Sequence, residues 1–151
     1  MGDHADGRCP RAVTLAALFA GALALAACGA PPPADPAPMP GEPLVTLPSD
    51  NGTWVVSIET SPQPPRKGSV DVTYRITDGA GAPADGLGLD VLPWMPAHGH
   101  GTSAAALVTP QGDGRYLATP VYLYMAGHWE LRTTIQGSDV TDTVVPAFDV
   151  P

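Results

Sequence analysis

Ser69-Val70-Asp71-Val72-Thr73-Tyr74-Arg75-Ile76-Thr77-Asp78 alternates apolar and polar residues without interruption. Successive side chains of a β-strand point to opposite faces, so Val70, Val72, Tyr74 and Ile76 share one face that has to be covered. A second run, His128-Trp129-Glu130-Leu131-Arg132-Thr133-Thr134-Ile135, has the same period. It buries Trp129, Leu131, Thr133 and Ile135 and turns Glu130 and Arg132 to water. Two strands that are each apolar on one side call for a second layer to close the core.

The remaining runs have the same character. Thr53-Trp54-Val55-Val56-Ser57-Ile58-Glu59-Thr60 follows a turn at Ser49-Asp50-Asn51-Gly52, and Leu87-Gly88-Leu89-Asp90-Val91-Leu92 places Leu87, Leu89 and Val91 on one side. Residues 102–109 form a strand with Ala104, Ala106 and Val108 inward, and Pro110-Gln111-Gly112-Asp113-Gly114 turns the chain. Arg115 to Leu123 is strand-like, with Pro120 marking an edge or a bulge because it cannot donate to a ladder. The last strand, residues 139–150, is interrupted by Pro146. About seven short strands, regular turns and no helical period outside the N-terminus predict an all-β antiparallel sandwich. Trp54, Tyr74, Tyr116 and Trp129 are its expected core anchors.

The first residues belong to something else. Arg8 and Arg11, an apolar run from Ala12 to Ala27, and the tetrad Leu25-Ala26-Ala27-Cys28 read as an export signal over residues 1–27. The tetrad resembles a bacterial lipobox, which implies lipidation at Cys28 and a membrane anchor of two or three acyl chains. Residues 28–48, rich in Pro and Ala, read as an extended tether reaching on the order of 50 Å. The folded domain is then expected over residues 49–151, on a membrane-anchored lipoprotein of the cell envelope that faces the periplasm or the exterior.

The sequence holds only two cysteines, Cys9 and Cys28. The folded domain therefore has no disulfide, and any metal site in it must use His, Met, Asp or Glu. From Cys28 onward five basic residues stand against thirteen acids, leaving a net charge of −8. Such a surface is a poor match to nucleic acid, which requires a basic patch. Ser57 or Ser103 with a histidine and Asp90 would be needed for acyl transfer, but no G-x-S-x-G elbow is present. The expected role is non-catalytic.

The chemistry gathers in two short segments. Trp94-Met95-Pro96-Ala97-His98-Gly99-His100-Gly101 and Met125-Ala126-Gly127-His128-Trp129 hold three of the four histidines and two of the four methionines. Thioethers favour Cu(I), and imidazole suits copper in both oxidation states. In an extended segment the i, i+2 pair His98 and His100 would project to one side, with Cα atoms about 6.5–7 Å apart. The candidate ligands are Met95, His98, His100 and Met125, with His128 as a further one. The bland alternative makes these exposed loop histidines and core-filling methionines. On that reading the loops form a metal-free protein-interaction surface.

Met-Pro-x-His-Gly-His-Gly, then Gly114-Arg115-Tyr116, then Met-x-Gly-x-Trp-Glu-Leu over residues 125–131, occur in this order. The order resembles the YtkA-like domain family, related to the FixH-like proteins. The resemblance implies an immunoglobulin-like envelope domain, often a lipoprotein, associated with copper handling or with assembly of copper-containing oxidases. It implies Met95, His98, His100 and Met125 as the site and an envelope copper protein or oxidase subunit as the partner. Ala126 departs from the proline common there. Replacing Cys28 with serine is expected to abolish incorporation of labelled palmitate and to release the protein from the membrane fraction, read by fractionation and blotting.

Overall fold

The computed structural model describes residues 41–151. The export signal expected over residues 1–27, the expected lipidation site Cys28 and the expected tether as far as Pro40 lie outside the described residues. Ten strands run in the order β1 (Val45–Pro48), β2 (Trp54–Ser61), β3 (Gly68–Asp78), β4 (Gly88–Met95), β5 (His100–Gly101), β6 (Leu107–Gly112), β7 (Arg115–Leu123), β8 (Gly127–Gln136), β9 (Thr141–Val144) and β10 (Ala147–Val150). One antiparallel sheet has the order β1-β2-β3-β7-β6, and the other has β10-β8-β4-β5 with β9 also paired to β8. The all-β sandwich is therefore as expected, with more and shorter strands.

The alternation in β3 and β8 is the core itself. Val70, Val72, Tyr74 and Ile76 face Trp129, Leu131 and Ile135 across the sandwich, all of them buried. Trp54 and Tyr116 are buried as well. Thr133 is the polar member of the inward row of β8, and its hydroxyl donates to the Leu131 carbonyl (3.2 Å) while lying 2.9 Å from Tyr74 Oη. The two sheets thus share a polar link inside an apolar core. Burial raises the Tyr74 pKa above its ordinary value, with the Thr133 hydrogen bond offsetting part of the rise.

Four boundaries differ from the sequence reading. The tether was expected to run to Pro48, but Val45–Pro48 is an edge strand paired to β2, with Leu44 N–H donating to the Ile58 carbonyl at 2.8 Å. Leu44, Val45 and Leu47 pack against the core, and Pro48 is tolerated because β1 is an edge. The expected strand over residues 102–109 starts only at Leu107, because Thr102 Oγ1 accepts from Ala104 N–H (3.3 Å) and bends the chain. Pro110 and Gln111 belong to β6, and the reversal shrinks to Asp113-Gly114, both at positive φ (55° and 69°). Such a pair matches the right-handed twist of the flanking strands. The last strand splits at Pro146 into β9 and β10, which pair with successive halves of β8.

Pro120 sits where a bulge was expected. The β3–β7 register jumps from Val70↔Val121 to Val72↔Ala118, leaving Thr119 and Pro120 opposite Asp71, whose carboxylate accepts from the Thr119 hydroxyl.

A buried carboxylate joins the turn before β2 to the other sheet. Asp142 in β9 accepts from Ser49 Oγ (2.7 Å), Asn51 Nδ2 (2.8 Å), Asn51 N–H (3.1 Å) and Thr143 N–H (2.8 Å). Desolvation pushes its carboxyl up, but these donors more than offset that and hold it well below the usual carboxylate range. A depressed pKa contributes stability that is full above the unfolded-state value of about 3.9 and is lost as pH falls toward the folded-state value. Asp142→Asn is accordingly expected to lower the melting temperature at neutral pH. It should also flatten the acid side of the stability curve below about pH 4, as read by thermal melts across pH.

Candidate metal centre

Strand β4 ends at Met95, and Pro96 begins a single 3-10 turn, Pro96–His98. Proline fixes φ and needs no hydrogen-bond acceptor there. Gly99 ends the turn in the left-handed region (φ 66°, ψ 21°), where its N–H donates to the Met95 carbonyl (3.1 Å). The chain reverses at once, so that His100 pairs with Met95 and Gly101 with Trp94. The sequence reading had His98 and His100 on one side of an extended segment. They converge instead because they flank a tight reversal, with ring centroids 5.7 Å apart and planes tilted by 53°. Both are exposed.

Met95 is the opposite case, at 2% exposure. It is the cross-strand partner of His100, and its Cε lies against Gly127 at the start of β8. The first segment therefore meets the second at one end of the sandwich, which the sequence left open. Met125 is half-buried on the core two residues before Gly127, and its carbonyl accepts from Trp129 Nε1 at 2.9 Å. That bond ties the Met125 backbone to the largest core side chain.

His128 is not brought to this group. It has the outward parity of β8, opposite to Trp129 and to Met95. Its Nδ1 lies 3.0 Å from Asp149 Oδ1 of β10. Among the described residues no three His, Cys, Asp or Glu side chains gather as around a metal ion, so thioether sulfur is needed to complete any site here.

The two imidazoles are close enough to share one ion. An imidazole bound through nitrogen at about 2 Å has its centroid roughly 3.2 Å from the ion, so two rings on one ion lie at most about 6.4 Å apart. The 5.7 Å separation of His98 and His100 is inside that limit.

Two neighbouring features went unread in the sequence. Arg132 stacks on the Trp94 ring at 4.4 Å on the outer face, and the rings of Tyr122 and Tyr124 stack at 5.4 Å beside Met125. Both are i, i+2 or cross-strand pairs, legible only once the register is known. The Gly114-Arg115-Tyr116 motif also finds its reason here. Tyr116 Oη donates to the Ala84 carbonyl (2.7 Å) and accepts from Leu87 N–H (3.1 Å), pinning the loop that leads into β4. Burial raises its pKa, and the hydrogen bond from Leu87 works against the rise.

The class of molecule is a two-sheet antiparallel β-sandwich. The model of the YtkA-like family matches residues 49–134, a range that includes both segments, and the chain belongs to that family. No curated protein and no solved structure matches the chain.

Gly127 holds φ +127°, and a Cβ placed there would stand 2.6 Å from Met95 Cε. Gly127→Ala is expected to cost about 1–3 kcal/mol, part of it backbone strain and part steric. Combining it with Met95→Ala should remove only the steric part. Urea unfolding of the single and double variants measures both.

Proposed function

We propose that this protein is an exported, lipid-anchored, non-catalytic envelope domain that binds copper through Met95, His98 and His100, with Met125 completing the set, for copper handling or for assembly of a copper enzyme. One observation carries the reading. Two segments far apart in sequence, holding both strand-end methionines and the paired histidines, meet at one end of a rigid sandwich, with Met95 between His100 and Gly127. Soft sulfur beside imidazole is the donor combination suited to Cu(I). His128, the further candidate, is left out of the proposed set, since it has the outward parity of β8 and its Nδ1 lies 3.0 Å from Asp149 Oδ1.

Anchorage rests on the lipobox-like tetrad ending at Cys28. No helix among the described residues is long and apolar enough to cross a membrane. A second reading has one observation in its favour: Tyr124 is 61% exposed beside Met125, as a ring used for docking a protein would be.

Anaerobic titration of the detergent-solubilised full chain with Cu(I), in competition with a chelator, separates the two. One equivalent should bind with a Kd well below about 1 μM. A Met95, His98 and His100 triple alanine variant should bind at least about tenfold more weakly, and His128→Ala should bind as the parent does. Absence of binding tighter than micromolar, or binding unchanged in the triple variant, leaves the docking reading in place of the copper one.

A further inference from the structure

Glu59 breaks the pattern of its strand. In β2 the inward residues are Trp54, Val56 and Ile58, so Glu59 has outward parity, yet it is only 8% exposed. Its Oε1 is fully covered and has no hydrogen-bond partner among the described residues. The register sets Glu59 opposite Thr73 and Thr73 opposite Leu117, so these three form a row across β2, β3 and β7 on the outer face. They line a cleft of about 460 Å³ together with Gln63, Gln111 and Arg115.

The rim of this cleft is built. Gln63 Oε1 accepts from Thr60 N–H (3.0 Å) and its Nε2 donates to the Glu42 carbonyl (2.8 Å), which clamps the chain beside Glu59. Arg115 also faces the cleft and is already engaged. A covered carboxylate oxygen that lacks a donor is expensive, and a ligand bringing both N–H donors and positive charge recovers the cost. Glu59 is the one acid among the residues lining the cleft, so a cation is the ligand charge its carboxylate would attract. The volume lies within the range of small-molecule sites.

We propose that the outer face of the first sheet holds a second binding site, independent of the copper reading, that takes a small organic cation, an ammonium or guanidinium, on the Glu59 carboxylate. Leu117 packs against its apolar stem, and Thr73 and Gln111 supply further polar contacts.

The probe is n-butylammonium chloride, with n-butanol and sodium butyrate as neutral and anionic controls. It is titrated into the ¹⁵N-labelled full chain in detergent and followed by amide shifts. Saturable shifts centred on Glu59, Thr73 and Leu117, given by the ammonium and not by the controls, are the expected result. Glu59→Gln keeps the shape and should weaken binding at least tenfold. Leu117→Lys would supply the cation from within the chain, and should block the added amine while raising the melting temperature. Non-saturable shifts, equal binding of n-butanol, or unchanged binding in either variant would overturn the assignment. If Glu59→Gln fails to fold, the Leu117→Lys arm decides alone.

Discussion

Strand β8 is hydrogen-bonded along both of its edges, to β4 on one side and to β9 and β10 on the other. A strand held on both sides cannot slip by one residue without turning its whole apolar row to solvent. Its inward row of Trp129, Leu131, Thr133 and Ile135 is therefore fixed in place, and the Tyr74–Thr133 hydrogen bond then sets the other sheet against it. Parity alone sends His128 outward. The same register lays β4 along β8, with Trp94 opposite Glu130, so Met95 is delivered to the end of β8 next to Gly127. The candidate centre is thus a consequence of pairing in the core, with loops contributing only the last few residues.

That arrangement separates packed residues from exposed ones. Met95 is packed into the core and the Met125 backbone is held by the Trp129 indole, whereas the two imidazoles stand in water on a reversal made by Pro96 and Gly99. Sites built on the ends of strands hold their geometry better than sites built on loops. Met95 is thus a core residue as well as a member of the candidate set, whereas His98 and His100 are surface residues.

Much of this could be read from the chain. Period-two alternation gave β3 and β8 because each has one buried face, and the four aromatic anchors followed from parity. What the alternation could not show was where a side chain outcompetes the ladder. Thr102 caps Ala104 and delays β6, and Asp142 gathers donors from residues 49–53 across a sheet boundary that no local pattern reveals. Edge pairing was also missed at β1, where Pro-rich composition masked three apolar residues that reach the core. In the site, the residue types were legible and the reason for their convergence was not. The histidines meet through a 3-10 turn rather than an extended i, i+2 spacing, and Gly127 matters through a contact with a methionine some thirty residues earlier. Glu59 stayed invisible for the same reason, since only its cover, and not its parity, sets it apart.

The short strand β1 is a thin edge layer on the first sheet. Along the chain from Gly41 the Gln63–Glu42 hydrogen bond comes first, then the four residues of β1, and only then β2. Leu44, Val45 and Leu47 are only partly buried, while Val56 and Ile58 behind them are fully so. β1 therefore contributes less buried apolar surface than β2 behind it. It lies at the edge of the sheet opposite the one that carries Met95 and the paired histidines.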